Sequence, residues 1–426
     1  MKTLHRLERP GCGCGENEAG DGLLSLDEAL ARIAGTSGAV EEVEIVPLQR
    51  ARGRVLAEPV VSSTLSPPFD NAAMDGYALS AGALEGDGPW VLPVGGCIAA
   101  GHAPSDVVRR GTAVQVLTGA PLPKGTDTVV MQEHVLREGG RIVLRHRPDV
   151  GAHIRPAGED MMPGQVIMEA GTRLGPREIA AAAAAGAGSL RVRRKLRVVI
   201  LATGDELCPA GDPLAGAHVW DVNSPMLAAA ISGEDVEVLL ARHEGDALGP
   251  LKARLAGLAE TADIIVTTGG VSVGSADLVR PAMAALGGET VFAGVAIKPG
   301  KPVVFGRLGK AFWLGLPGNP LAAFTTWMLF GNRLLECLAG VSVPRAVRRH
   351  VVAGTRLRHK PGRCELRLAR LAGFDGLGRE VILCPDVTNS ARVSLLPAAD
   401  GLVLIPAEVE SISEGELLEF VQFCAK

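Results

Sequence analysis

Apolar and polar positions along the chain fall into three successive rhythms. The stretch 25–34, SLDEALARIA, spaces its apolar residues at helical intervals behind a Ser whose third neighbour is Glu28, a capping-box pattern that predicts the first helix of the folded chain. Val43 to Val46 then reads as a short strand ended by Pro47, and apolar positions continue to Ser66-Pro67-Pro68, where two adjacent prolines stop any helix or ladder. From Trp90 to Arg145 short alternating runs (WVLPVGGCIAAG, AVQVLTGAPLP, TVVMQEHVL, RIVLR) are cut by Gly and Pro, which predicts a small β-rich domain over 51–145. An Ala-rich helix is expected over 176–187, and the basic run Arg191 to Lys195 reads as a solvated edge beside a domain boundary.

After Leu196 the rhythm becomes strand, polar turn, helix, repeated. VVILATGDEL, VEVLLARH, IIVTTGG, VFAGVAIKPGKPVVFG and AFWLGL supply strands; WDVNSPMLAAAI, LKARLAGLAE, 276–285 and the residues after LPGNP supply helices. This predicts a doubly wound, mostly parallel α/β domain over 191–340, in which ligands bind at the carboxyl ends of the strands. The unusual polar residues cluster at those ends: Asp205, Glu206, Asp221, Asn223, Ser272, Asp277, Lys298, Lys301 and Asn319. In 264–281 a buried strand breaks at Gly269-Gly270 and re-emerges as a helix, an arrangement whose amides, with Ser272 and Ser275, favour a phosphate. Asp277 fits either a helix N-cap or a carboxylate sharing a divalent cation with that phosphate. From Val341 onward β alternation returns (VILCPD, GLVLIPAE, LLEFVQF), predicting a small all-β domain over 341–426.

Composition narrows the function. One tyrosine and few other aromatics leave no stacking platform for single-stranded nucleic acid, and a net charge of −4 gives no global basic field to recruit polyanions, so any anion must be held by local groups. No stretch of about eighteen apolar residues exists, so no membrane span is expected. The cysteines are scattered without a disulfide framework, which points to a reducing, cytoplasmic setting; only Cys12-Gly-Cys14 pairs, inside a polar leader, 1–22, expected to be a flexible tail. Two carboxylates in FDNAAMDGYAL, Asp70 and Asp75, follow the rigid Pro pair and could ligate a cation, orient water or simply form a turn.

The motifs PPFDNAAMDGYA, LTGAPLPKGTD, AGED, ATGDEL, DVNSPML, TTGGVSVGSADLV, AIKPGKP and GLPGNP together resemble the molybdopterin molybdenumtransferase family, MoeA-like proteins related to the E domain of gephyrin. The resemblance runs from about Leu24 to the C-terminus. It implies insertion of molybdate into adenylylated molybdopterin with release of AMP, assisted by Mg²⁺ or a similar divalent ion. It also implies a split domain over 23–50 and 146–190 around the β-rich insertion, and a homodimer with its site between subunits. Catalytic roles would fall to Asp75, Thr118 and Asp160 from one subunit and Glu206, Asp221 and Asp277 from the other. Substrate contacts would come from Thr203, Gly204, Asp205, Asn223, Ser224, Gly269, Gly270, Ser272, Val273, Gly274, Pro317, Gly318, Asn319 and Pro320. Lys298, Lys301, Ser272, Arg363 and Ser390 would hold molybdate, and Asp205, Glu206 and Asp277 the metal. A molybdopterin adenylyltransferase and apo-molybdoenzymes are the partners such a reaction implies; nucleic acid and membrane are not. Leu321-Ala322, Ala391 and Asp400 depart from the family pattern. Two other readings share the fold: an adenylyltransferase, which 191–340 resembles, and a scaffold without catalysis.

Overall fold

The computed structural model describes residues 22–104, 107–242, 247–270, 278–342, 348–385 and 392–423. The capping box forms as expected: Ser25 Oγ accepts the Glu28 amide at 3.2 Å and Glu28 accepts the Ser25 amide at 2.8 Å. It starts the helix Leu26–Thr36, whose Leu26, Ala29 and Ile33 are fully buried against the α/β core. The strand Val43–Pro47 pairs antiparallel with Ser189–Arg193, so the chain departs at Pro47 and returns at Ser189. Between them lies a six-stranded sheet ordered Thr128–Met131, Gly76–Leu79, Ala113–Val116, Trp90–Ile98, Arg141–Leu144, Val135–Glu138.

The basic run is less solvated than its composition suggests. Arg194 grips Asp263 with two bonds of 2.7 and 2.8 Å, and Arg193 donates to the Val40 carbonyl at 2.9 Å. Burial pushes the Asp263 carboxyl up, but Arg194 and the Arg197 amide outweigh it and hold it below the usual carboxylate range. These bonds tie the end of the returning strand to the residue that leads into Ile264–Thr268 and to the segment before Val43–Pro47.

The central sheet runs Val236–Arg242, Leu196–Ala202, Ile264–Thr268, Ala311–Leu316, Val304–Leu308, Glu289–Ala293. The first four strands are parallel, but the last two pair antiparallel, so the sheet is more mixed than the sequence rhythm suggests. The cause is local: Val304–Leu308 and Ala311–Leu316 are joined only by Gly309 and Lys310, a hairpin too short for a crossover helix. Helices cover both faces, with Leu227, Ile231 and Phe330 on one side and Leu251, Leu255 and Met283 on the other. Every residue of Ile264–Thr268 is buried, as a strand sandwiched between helical layers requires.

The C-terminal strands close on themselves through an additional pairing of Cys364–Phe374 with Gly401–Ile405. The α/β domain contributes to this sheet: Ile297–Lys298 pairs in parallel with Cys364 and Glu365. Among the described residues no helix is long and apolar enough to cross a membrane.

Candidate active site

Parallel strands end on one edge of the central sheet, and the turns that follow them build a pocket of about 630 Å³. Gly269 and Gly270 form part of its wall with φ of +85° and +65°; a Cβ on the first would come 2.9 Å from the Thr203 carbonyl, and on the second 2.8 Å from Val279 Cγ2. No side chain fits there, and the backbone itself faces the cavity. Pro317, Gly318, Asn319 and Pro320 line the adjoining wall, with Pro320 opening the next helix. Glu206 and Asp221 bring two carboxylates to the same space.

Asn223 fastens this assembly. Its Nδ2 donates to Thr268 Oγ1 and to the Gly318 carbonyl, both at 2.7 Å, linking the start of one helix to two strand ends. Because the Gly318 carbonyl only accepts, the nitrogen must face it, which fixes the amide orientation. The other end, Asn223 Oδ1, is buried on the pocket wall and has no hydrogen-bond partner among the described residues. A buried acceptor left empty costs about 1–3 kcal/mol, which makes this oxygen a costly feature of the wall. Asp221 is buried and accepts the Ser224 amide at 3.0 Å, a capping duty that orients its second oxygen.

Other predicted residues lie elsewhere. Thr203 backs the glycine turn rather than lining the pocket, and Ser224 is buried at the start of the helix Asn223–Ile231. Gly204, at φ +142°, lets the Glu206 carboxylate fold over the backbone, while Asp205 is exposed and off the wall. Ser272, Val273, Gly274, Asp277 and Ser390 lie outside the described residues. Lys298 and Lys301 are exposed, and Arg363 precedes the strand that pairs with Ile297–Lys298. Thus Lys298 and Arg363 converge on one junction between the α/β domain and the C-terminal barrel. Among the described residues no group of three or more His, Cys, Asp or Glu is placed to hold a metal ion by itself.

Asp75, Thr118 and Asp160 do not line this pocket. Asp75 and Thr118 meet instead on the β-rich lobe. Asp75 Oδ1 accepts both the Thr118 amide at 2.7 Å and its hydroxyl at 2.8 Å. Those bonds, the amide's first, hold the exposed Asp75 carboxyl below its ordinary range, so it remains an anion and keeps Oδ2 open. Asp160 stands on the neighbouring turn, where Ser66 Oγ reaches its Oδ2 at 3.4 Å and the Ala157 amide is held by Asp70 at 2.7 Å.

Sequence reasoning passed over Trp220, Val219, Val222 and Pro302, which also line the pocket. Trp220 is 50% exposed, with Nε1 donating to the Asp212 carbonyl at 3.0 Å, so its ring is anchored but free on one face. The available signal was a tryptophan immediately before a functional Asp in a chain with four tryptophans.

Fold and pocket define a multidomain α/β protein whose ligand site lies at the carboxyl ends of a doubly wound sheet. Three family models account for most of the chain: the MoeA N-terminal region (domain I and II) over residues 24–186, the probable molybdopterin binding domain over 199–336, and the MoeA C-terminal region (domain IV) over 350–423. Molybdopterin molybdenumtransferase of Haemophilus influenzae is 35% identical over 319 residues, 75% of this chain and 78% of that protein. Molybdopterin molybdenumtransferase 2 of Mycobacterium tuberculosis is 34% identical over 384 residues, 88% and 93% respectively. Among solved structures, the molybdopterin biosynthesis MoeA protein of Pyrococcus horikoshii matches 94% of this chain and 100% of its own at a TM-score of 0.79 and 29% identity. The chain belongs to the MoeA family of molybdopterin molybdenumtransferases.

Proposed function

We propose that the chain acts in molybdenum cofactor biosynthesis, joining molybdate to the dithiolene sulfurs of adenylylated molybdopterin as AMP departs. The observation that carries this reading is the pocket itself: a glycine-backed wall for a pyrophosphate, two carboxylates, and the vacant acceptor Asn223 Oδ1 for a ring N–H. Trp220 offers a flat apolar face to the heterocycle.

Two pocket carboxylates suit Mg²⁺, which binds one or two acids together with substrate phosphates, so Glu206 and Asp221 would hold it and Asp277 would add a further acid. When bound, the ion neutralises charge on the pyrophosphate. Lys298, Lys301 and Arg363 gather cations for tetrahedral molybdate, with Ser272 and Ser390 as hydroxyl donors. Tungstate would meet the same donors. Asp75, kept ionised by Thr118, and Asp160 face the substrate from the β-rich lobe of a second copy, Asp75 orienting the water that attacks phosphorus while AMP leaves. A homodimer completes the site in this scheme. The free thiols of Cys97, Cys208, Cys337, Cys364 and Cys384 suit a reducing cytoplasm.

The test is incubation with adenylylated molybdopterin, molybdate and Mg²⁺. AMP release together with cofactor that activates an apo-molybdoenzyme is expected; ATP consumption without AMP release from the adenylylated pterin would indicate an adenylyltransferase instead.

A further inference from the structure

The turn that carries Arg363 is fastened by a buried histidine. His359 has a side chain only 1% exposed, and each ring nitrogen meets a backbone carbonyl: Nδ1 lies 2.6 Å from Val409 O and Nε2 lies 3.1 Å from Arg363 O. Nε2 also looks toward Glu365 Oε2 at 3.8 Å. Carbonyl and carboxylate oxygens only accept, so the ring can hold these partners only as a donor.

The remaining bonds make the turn a clamp. The Gly362 amide donates to the Ala407 carbonyl at 2.8 Å, and the Cys364 amide donates to the Ala296 carbonyl at 2.9 Å. The peptides on either side of Arg363 are thus pinned to the C-terminal barrel and to the strand that carries Lys298. Among the described residues, the hydrogen bond that pins the Arg363 carbonyl comes from His359. Glu365 is shared: Arg367, 3% exposed, donates to Glu365 Oε1 at 3.0 and 3.3 Å and to the Arg358 carbonyl at 2.9 Å.

We propose that His359 is a positioning residue for oxyanion capture: its ring, bonded to the Val409 and Arg363 carbonyls, locks the Arg363 turn and so sets Arg363 for molybdate. This rests on the reading that Arg363 takes the oxyanion. The charged groups around the ring are Glu365 and, behind it, Arg367 on one strand, Glu408 and Glu410 flanking Val409 on the facing turn, and Arg358, Lys360 and Arg363 on its own segment. Cys384, beside Arg367 and Glu365, is neutral because burial pushes its thiol up to about 12.

The experiment measures molybdate affinity by calorimetry, and molybdate KM and kcat, for the full-length wild type, H359Q, H359K and R363A, with melting curves for each. Loss of a charge-assisted bond in H359Q should raise Kd and KM about tenfold while kcat stays within about twofold. H359K, whose ammonium can still donate to the Arg363 carbonyl, should restore affinity. If H359Q fails to fold, H359K still decides the matter: a folded H359K that binds molybdate as weakly as R363A overturns the proposal. An R363A protein with unchanged molybdate affinity overturns the role of Arg363, and that of His359 with it. A weakened R363A beside an unaffected, folded H359Q overturns the positioning role alone.

Discussion

The pocket on the α/β sheet and the acidic constellation on the β-rich lobe use polar residues in opposite ways. In the pocket Asn223 and Asp221 are buried and committed to the scaffold: Asn223 spends its nitrogen on Thr268 and Gly318 while its oxygen stays unpartnered, and Asp221 spends one oxygen on a helix start. On the lobe, the half-buried Asp75 has its carboxylate bonded to Thr118, outside the buried core. Damage to the pocket should therefore cost folding and binding together, whereas damage to the lobe should cost chemistry alone.

Asp75→Asn gives the largest separation of the two effects. Turnover should fall at least about a hundredfold, the lower range for loss of a positioned acid–base group, with little change in melting temperature. A large drop in melting temperature would show that the lobe is not independent of its carboxylate. Asn223→Ala should do both kinds of harm. Two acceptors lose their donor, costing about 1–3 kcal/mol in chemical denaturation, and substrate KM rises as well; a variant as stable as wild type would break the contrast from the pocket side. Trp220→Ala removes an exposed ring face, and substrate KM should rise between about twofold and tenfold with little change in stability. An unchanged KM would remove Trp220 from the binding wall.

Thr118→Val has the smallest effect and the most specific. It deletes the hydroxyl bond to Asp75 but keeps the stronger amide bond, so the carboxyl stays depressed, though less so. A lowered pKa leaves the group ionised until the pH falls through it; a less depressed one protonates earlier. The acid limb of the pH–rate profile should move to higher pH in Thr118→Val with little change on the plateau. A limb that stays in place would separate Asp75 ionisation from turnover.

Local regularities made much of the architecture readable. Strand–turn–helix repeats, the capping box at Ser25 and the glycine pair after Thr268 each depend on neighbours within a few residues, so sequence spacing carries them. The antiparallel end of the central sheet was legible in principle, because only Gly309-Lys310 separates two apolar runs, but the surrounding parallel rhythm obscured it. What the sequence does not carry is the outcome of long-range pairing. Ile297–Lys298 joins the C-terminal barrel across more than sixty intervening residues, and this is what brings Arg363 to the lysine loop. The vacant oxygen of Asn223 exists only because Thr268 and Gly318 claim the same side chain's nitrogen. His359 gave no sign as a residue type; its two carbonyl partners, four and fifty residues away, define it.

The central claim is that the pocket of one subunit is served by the acidic lobe of another. Mixing two inactive proteins, Asp75→Asn and Glu206→Ala, under conditions that exchange subunits tests it directly. Each mixed dimer would hold one site with both surfaces intact, so activity should recover to about a quarter of wild type when half of the dimers are mixed. No recovery, with mixed dimers demonstrated by mass, would contradict the account and place lobe and pocket in the service of the same chain.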